Sequence, residues 1–265
     1  ITGDGSPMYI CQPGVAKRIY DVLPKSKIIV MLRNPVDRSY SEFWFKQSLS
    51  RNAVTMETFK SAKLSHEDVF EECIVKEMRT IEYCAKYFAT GDRYSVSMFN
   101  CVREVNRELA FLRTTDPKCL SNGKYKGMCI KKEVRQYCTP GNAYNSLYGR
   151  QLIEWLDRFP REQLLFIQSE EFFDNPNEVM KTTSSFLGLS EYDWSSVTGR
   201  QFNIVKDNPK KKQKLGVGES ESVLDKYPPL SSVLRNKLHR WFNEQNQHLK
   251  DYDFGRDFML VWDTL

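Results

Sequence analysis

Arg33 and Ser41 are the residues whose types and spacing best suit a chemical task. They lie in Ile28–Phe43, IIVMLRNPVDRSYSEF, where a β-branched apolar run ends at Arg33 and Asn34-Pro35 forces a turn. Arginine presents a planar fork of donors that can grip two oxygens of one phosphate. The carboxyl end of a buried strand is also where open α/β sheets bind ligands. Ser41 falls one to two turns into the helix that follows, so a strand-end guanidinium and a helix-borne hydroxyl can converge on one anion. The plainer alternative is an Arg33 that pairs with an acid and a Ser41 that is an ordinary helix residue.

Other candidates carry less. Residues 206–214, KDNPKKKQK, hold five Lys and one Asp, a local +4 in a chain whose formal net charge is +5. A nucleic-acid binder spreads basic residues along a face or groove, so this run reads as a local anion site or a basic loop, and no nucleic-acid partner is expected. For a general base, His66, His239 and His248 fall in a polar segment or on the last helix. Glu170 and Glu171 follow a strand end and are better placed, although capping or pairing with an arginine is their plainer role. No catalytic residue is assigned.

These side chains need elements to position them. The chain has 265 residues, 40% of them hydrophobic and 28% charged, enough for a sizeable core and unlike a disordered or collagen-like chain. No apolar run approaches the roughly 18–20 residues that cross a bilayer, so no membrane contact is expected within the chain. Lys27–Leu32 reads as a buried parallel strand and Val36–Phe45 as a helix with Pro35 in its first turn. Phe70, Ile74, Met78, Ile81, Ala85 and Phe88 recur at helical spacing. A further helix runs from Tyr144 to Phe159, followed by a strand at Leu164–Gln168. Asp174-Asn175-Pro176 opens a helix closed by Gly188, and Leu230 to Phe242 mark a last one. Strand and helix alternating in this way imply an α/β layer architecture.

Seven cysteines stand at 11, 73, 84, 101, 119, 129 and 138. None forms a CxxC pair and histidine is scarce, which argues against structural zinc. Their crowding suggests a disulfide-stabilised insertion and an oxidising compartment. Cys73 and Cys84 share a helix face, but eleven residues at 1.5 Å each separate them by about 16 Å, so they pair only if that helix breaks. At least one bridge is expected within Cys101–Cys138.

The pattern Arg-Asn-Pro-x-x-Arg-x-x-Ser after an apolar strand resembles the 3′-phosphate element of sulfotransferases that use 3′-phosphoadenosine 5′-phosphosulfate. The resemblance puts Arg33 and Ser41 on the 3′-phosphate and makes Arg38 mainly structural. DGSPMYICQPGVAKRIYDVLPKSK is similar to the segment before this strand in heparan-type glycan sulfotransferases. SLYGRQLIEWLDRFPREQLLFIQSEEFFDNPNEVMKTTSSFLGL resembles their helix–strand–helix unit, and LRNKLHRWFNEQNQHL their closing helix. In its Cys-containing insert the chain also resembles the chondroitin GalNAc 4-sulfate 6-O-sulfotransferase type. Roughly 150 of the 265 residues take part.

The resemblance implies one sulfotransferase domain over 1–265, the C-terminal portion of a three-layer, P-loop-like α/β fold with a parallel sheet flanked by helices and a Cys-rich irregular insertion at about 91–143. It implies sulfuryl transfer to a glycosaminoglycan-type, anionic glycan in the Golgi lumen or outside the cell. Adenosine 3′,5′-bisphosphate would be the product and no metal would be needed. Three departures stand out. The family's Pro-Lys-(Ser/Thr)-Gly-Thr turn for the 5′-phosphosulfate is not in the sequence, and is expected upstream of Ile1 together with the base and a membrane anchor. Gly5 stands where relatives carry Lys. The C-terminal nucleotide loop has its nearest counterpart in Lys210–Gly218, which nominates Lys212, Lys214 and Gly216. A non-catalytic module that holds sulfated glycan is the competing reading.

Overall fold

The computed structural model describes residues 2–49, 54–88, 96–120, 123–198 and 227–251. Helix α1 (Val15–Val22) leads into strand β1 (Ile28–Leu32), which pairs in parallel with β2 (Leu164–Gln168) in the register Ile28–Leu164 through Leu32–Gln168. A parallel pair needs a crossover. Here the crossover comprises α2 (Pro35–Leu49), α3 (Met56–Ser61), α4 (His66–Phe88), α5 (Val96–Leu109), α6 (Lys132–Arg135) and α7 (Tyr148–Leu156). After β2 come α8 (Ser169–Asp174), α9 (Pro176–Leu187), α10 (Ser195–Thr198) and α11 (Ser232–Asn246). The result is an α/β fold with a parallel sheet flanked by helices, and both strands end at one carboxyl edge.

Side chains alternate across a strand, so Val30, Leu32, Leu164 and Phe166 share a face. They pack against Val15 and Ala16 of α1 and Tyr148, Leu152 and Trp155 of α7. Ile29 and Met31 point the other way and are 41% and 50% exposed. The expected burial on both faces therefore suits β2 but not β1, because the described helices cover only the Val30 and Leu32 side of β1. A second core joins α2, α4, α5 and α11 through Phe43, Phe70, Ile74, Val105, Leu238 and Phe242.

Helix α4 is unbroken, so Cys73 and Cys84 each find a different partner. The bridges are Cys73–Cys138, Cys84–Cys101 and Cys119–Cys129, with Cα atoms 5.1, 5.8 and 5.7 Å apart. The last of them lies within Cys101–Cys138, as expected. The 91–143 segment is not irregular throughout. Met98, Val105 and Leu109 form one apolar face of α5, which packs on α4 and is tied there by Cys84–Cys101.

The helix expected over 144–159 is shorter, a 3₁₀ turn at Tyr144–Ser146 followed by α7. Its start is set by close packing on α11. A Cβ at Gly149 would lie 3.2 Å from the Asn246 Cα, while the Asn246 side chain accepts from the Gly149 N–H (2.9 Å) and donates to the Ser146 carbonyl (3.0 Å). Gly188, with φ 73°, closes α9 as predicted.

Cys11 is the free cysteine, 7% exposed, and burial pushes its thiol up to about 11. Only thiolate alkylates readily. At pH 8 the native protein should therefore react with iodoacetamide at Cys11 on the order of a hundredfold more slowly than the unfolded, non-reduced chain. Timed peptide mass spectrometry checks this, and rapid native labelling would contradict the burial of Cys11.

Candidate functional site

The site is built at the carboxyl edge of the sheet. Asn34 is fully buried, and its Oδ1 accepts from the backbone N–H groups of Val36 (3.0 Å) and Asp37 (3.4 Å). It thus caps two of the orphan donors at the start of α2. The Asn34 N–H donates to Glu170 Oε1 (2.7 Å), and the Tyr148 hydroxyl donates to the Arg33 carbonyl (2.9 Å). Burial pushes the Tyr148 phenol up to about 12, so it stays a neutral donor at physiological pH. The backbone at Arg33 is consequently held by groups from α7 and α8. The half-buried Arg33 side chain makes no hydrogen bond or ion pair with another described residue.

Ser41 lies six residues beyond Pro35, about 9 Å along the helix axis, on a half-buried part of α2. One turn before it, Asp37 carries a charge that would repel an anion. Arg235 of α11 meets that carboxylate at 2.7 Å, with the side chains 30% and 25% exposed. Local sequence could not supply this residue: Arg235 arrives only through the packing of α11 on α2.

Arg38, the second arginine of the motif, turns away from this edge. Its Nε donates to Ser146 Oγ (2.5 Å), one terminal nitrogen pairs with Glu42 (2.5 Å), and the other donates to the Asn142 carbonyl (2.6 Å). The structural role expected of Arg38 is what these contacts describe. The Glu170 carboxylate is likewise engaged, accepting from the Asn34 N–H and the Ser169 hydroxyl (3.3 Å). Its geometry matches a bracket between strand ends rather than a free base, and Glu171 is half-buried in α8.

His66 sits beside Trp44, ring centroids 6.0 Å apart, towards the other end of α2. Burial lowers its pKa. His239 is half-buried on α11. The His248 side chain lies outside the described residues, as do Lys212, Lys214, Gly216 and the 206–214 run. Gly5 is exposed and described, with open space around it. Among the described residues, no group of three or more His, Cys, Asp or Glu side chains could hold a metal ion. At this edge stand the Arg33 side chain and the N-terminus of α2 capped by Asn34, with Ser41 farther along the helix and the Asp37 carboxylate paired with Arg235.

Residues 19–252 match the sulfotransferase domain family. The membrane-associated sulfotransferase kil1 of Dictyostelium discoideum is 30% identical over 260 residues, covering 93% of this chain and 54% of that protein. The bifunctional heparan sulfate N-deacetylase/N-sulfotransferase 1 of Caenorhabditis elegans is 24% identical over 262 residues, covering 97% and 22%. Mouse carbohydrate sulfotransferase 15 is 24% identical over 186 residues, covering 70% and 24%. The chain thus spans about half the length of the first relative and a quarter or less of the other two.

The division of labour between the two motif arginines is measurable. Arg38→Ala should cost about 2–4 kcal/mol in urea unfolding, because it strips partners from Glu42, Ser146 and Asn142 in a largely buried network. Arg33→Ala should change stability by less than about 0.5 kcal/mol. Equal losses would show that Arg33 is part of the scaffold.

Proposed function

Because the chain belongs to the sulfotransferase domain family, we propose that it transfers a sulfuryl group from 3′-phosphoadenosine 5′-phosphosulfate to a hydroxyl of an anionic, glycosaminoglycan-type glycan. The observation that carries the nucleotide half of this reading is Arg33. Its main chain is anchored by Tyr148 and, through Asn34, by Glu170, and its half-buried side chain directly follows the carboxyl end of β1. When bound, the donor supplies an activated sulfuryl group and leaves as adenosine 3′,5′-bisphosphate.

In this reading Arg33 takes two oxygens of the 3′-phosphate and Ser41 adds a neutral contact. The N-terminus of α2 contributes its dipole, and Arg235 holds the charge of Asp37 in check. The 3′-phosphate is remote from the reacting sulfur, so these residues act by binding and orienting the donor. Lys212, Lys214 and Gly216 are proposed as further nucleotide contacts. The base that accepts the hydroxyl proton is left unassigned, since Glu170 is engaged elsewhere.

The glycan acceptor is supported by the named functions of the heparan sulfate and carbohydrate sulfotransferase relatives. Three disulfides fit an oxidising secretory compartment, and we place the chain in the Golgi lumen or outside the cell. Among the described residues no helix is long and apolar enough to cross a membrane.

Two ligands test the clamp: adenosine 3′,5′-bisphosphate and adenosine 5′-phosphate, titrated calorimetrically. Wild type should strongly prefer the first. Arg33→Ala should weaken its binding by roughly ten- to a hundredfold and nearly erase the preference, since a charge-assisted bond contributes about 1.5–3 kcal/mol. Ser41→Ala should cost on the order of 1 kcal/mol. A mutant at position 33 that keeps full discrimination would refute the site. Labelled donor offered with desulfated chondroitin and with N-deacetylated heparan tests the acceptor, and label on the amine alone would replace hydroxyl with amine transfer.

A further inference from the structure

Residues 113–135, RTTDPKCLSNGKYKGMCIKKEVR, contain seven basic and two acidic residues, a local +5 equal to the formal net charge of the whole chain. Arg135 turns inward, donating to the Ala110 carbonyl (3.2 Å) and the Leu112 carbonyl. The other six basic side chains are exposed. Lys124 and Lys131 have acidic neighbours in Glu108 (3.5 Å) and Glu72 (3.8 Å). Arg113, Lys126 and Lys132 form no ion pair with another described residue, and Lys118 has only the longer-range attraction of Glu108.

An ordinary solvated loop would let such side chains wander, whereas this one is framed. Cys119–Cys129 closes it over a separation of ten residues. Tyr125, between Lys124 and Lys126, is fully buried and its phenol donates to Glu108. The Tyr125 N–H donates to the Lys118 carbonyl (2.8 Å), and Arg79 of α4 donates to the Gly127 carbonyl (2.7 Å). The described cations therefore project from backbone tied in at Lys118, Tyr125 and Gly127, which lowers the entropic cost of binding.

We propose that this disulfide-framed basic surface docks a sulfated polysaccharide chain at a place separate from the nucleotide clamp. The C-terminal half of α2 lies against the adjoining segment, with Gln47 bonded to the Tyr137 carbonyl (2.7 Å) and Lys46 to the Pro140 carbonyl (2.7 Å). Arg33 precedes the opposite end of α2, on the order of 20 Å away along the helix. A small anion cannot touch both places, but a polymer can. A sulfated glycan carries closely spaced anions and little apolar surface, matching cations without a stacking platform. Single-stranded nucleic acid would call for a row of exposed aromatics among the cations, whereas Tyr125 is buried and the exposed Phe111 stands just outside the patch. Three disulfides also argue for a compartment where nucleic acid is not the prevailing polyanion. The choice of a glycan rests on the acceptor reading above, whereas the surface itself does not depend on catalysis.

The test compares two triple variants of equal charge loss. Lys118→Ser/Lys126→Ser/Lys132→Ser empties the patch, and Lys17→Ser/Lys25→Ser/Lys181→Ser removes exposed lysines elsewhere. The probe is a fluorescent heparin-derived dodecasaccharide, titrated without donor at several salt concentrations. The patch variant should bind about tenfold or more weakly at 0.1 M salt, and its log–log salt slope should fall by about two, because fewer counterions are released. The control variant should bind like wild type, and both should keep the wild-type affinity for adenosine 3′,5′-bisphosphate. Unchanged binding by the patch variant, or an equal loss in the control, would overturn the proposal. So would single-stranded DNA of equal charge that binds the wild type as tightly and loses as much. Failure to sulfate any glycan would remove the proposed function and leave this result standing.

Discussion

The orientation of α2 against the 137–146 segment is the constraint on which the site depends, and a polar seam sets it. Arg38 spans Glu42, Ser146 and the Asn142 carbonyl. Lys46 takes the other Glu42 oxygen at 2.7 Å and the Pro140 carbonyl. Across the seam, the fully buried Glu77 accepts from the Asn142 (3.3 Å) and Ala143 (2.8 Å) N–H groups, and burial raises its pKa. Such a network stabilises only when each member is satisfied. Here it makes α2 a rigid strut with one face committed to scaffold, leaving the face with Asp37 and Ser41 for other work.

Helix α7 couples that strut to the sheet. Its Tyr148 packs in the sheet core and reaches the Arg33 carbonyl, while Gly149 lets the helix lie directly on α11. The same α11 delivers Arg235 to Asp37. The position of the candidate anion clamp is thus a consequence of three packed helices and two strand ends. The two cores adjoin at the start of α7, where Leu147 belongs to one and Tyr148 to the other.

The disulfides divide the remaining work. Cys73–Cys138 holds the seam segment to α4 just before Thr139 and Asn142, and Cys84–Cys101 fastens α5. Cys119–Cys129 does not bound the seam. It frames a turn-rich stretch with few buried anchors beyond Tyr125 and Met128. Cross-links matter most where apolar burial is thin, because they limit the freedom of the unfolded chain.

Much of this was legible before any fold was known. The apolar runs at Ile28–Leu32 and Leu164–Gln168, the Asn34-Pro35 break and Gly188 determine the strands and several helix ends, since period and turn chemistry act over a few residues. The Arg33–Ser41 spacing was visible for the same reason, whereas the structural role of Arg38 came from the family resemblance, since its partners Ser146 and Asn142 lie more than 100 positions away. Helix α5 was missed although Met98, Val105 and Leu109 carry a helical face, because the clustered cysteines suggested an irregular insertion. Tertiary structure alone decided that Tyr148 and Glu170 anchor the Arg33–Asn34 backbone, that Arg235 neutralises Asp37, and that Cys73 meets Cys138. Each of these pairs joins residues 65 or more positions apart. A polar side chain's own neighbourhood does not name its distant partner; that choice is made only when packing desolvates both and leaves each the nearest group able to satisfy the other.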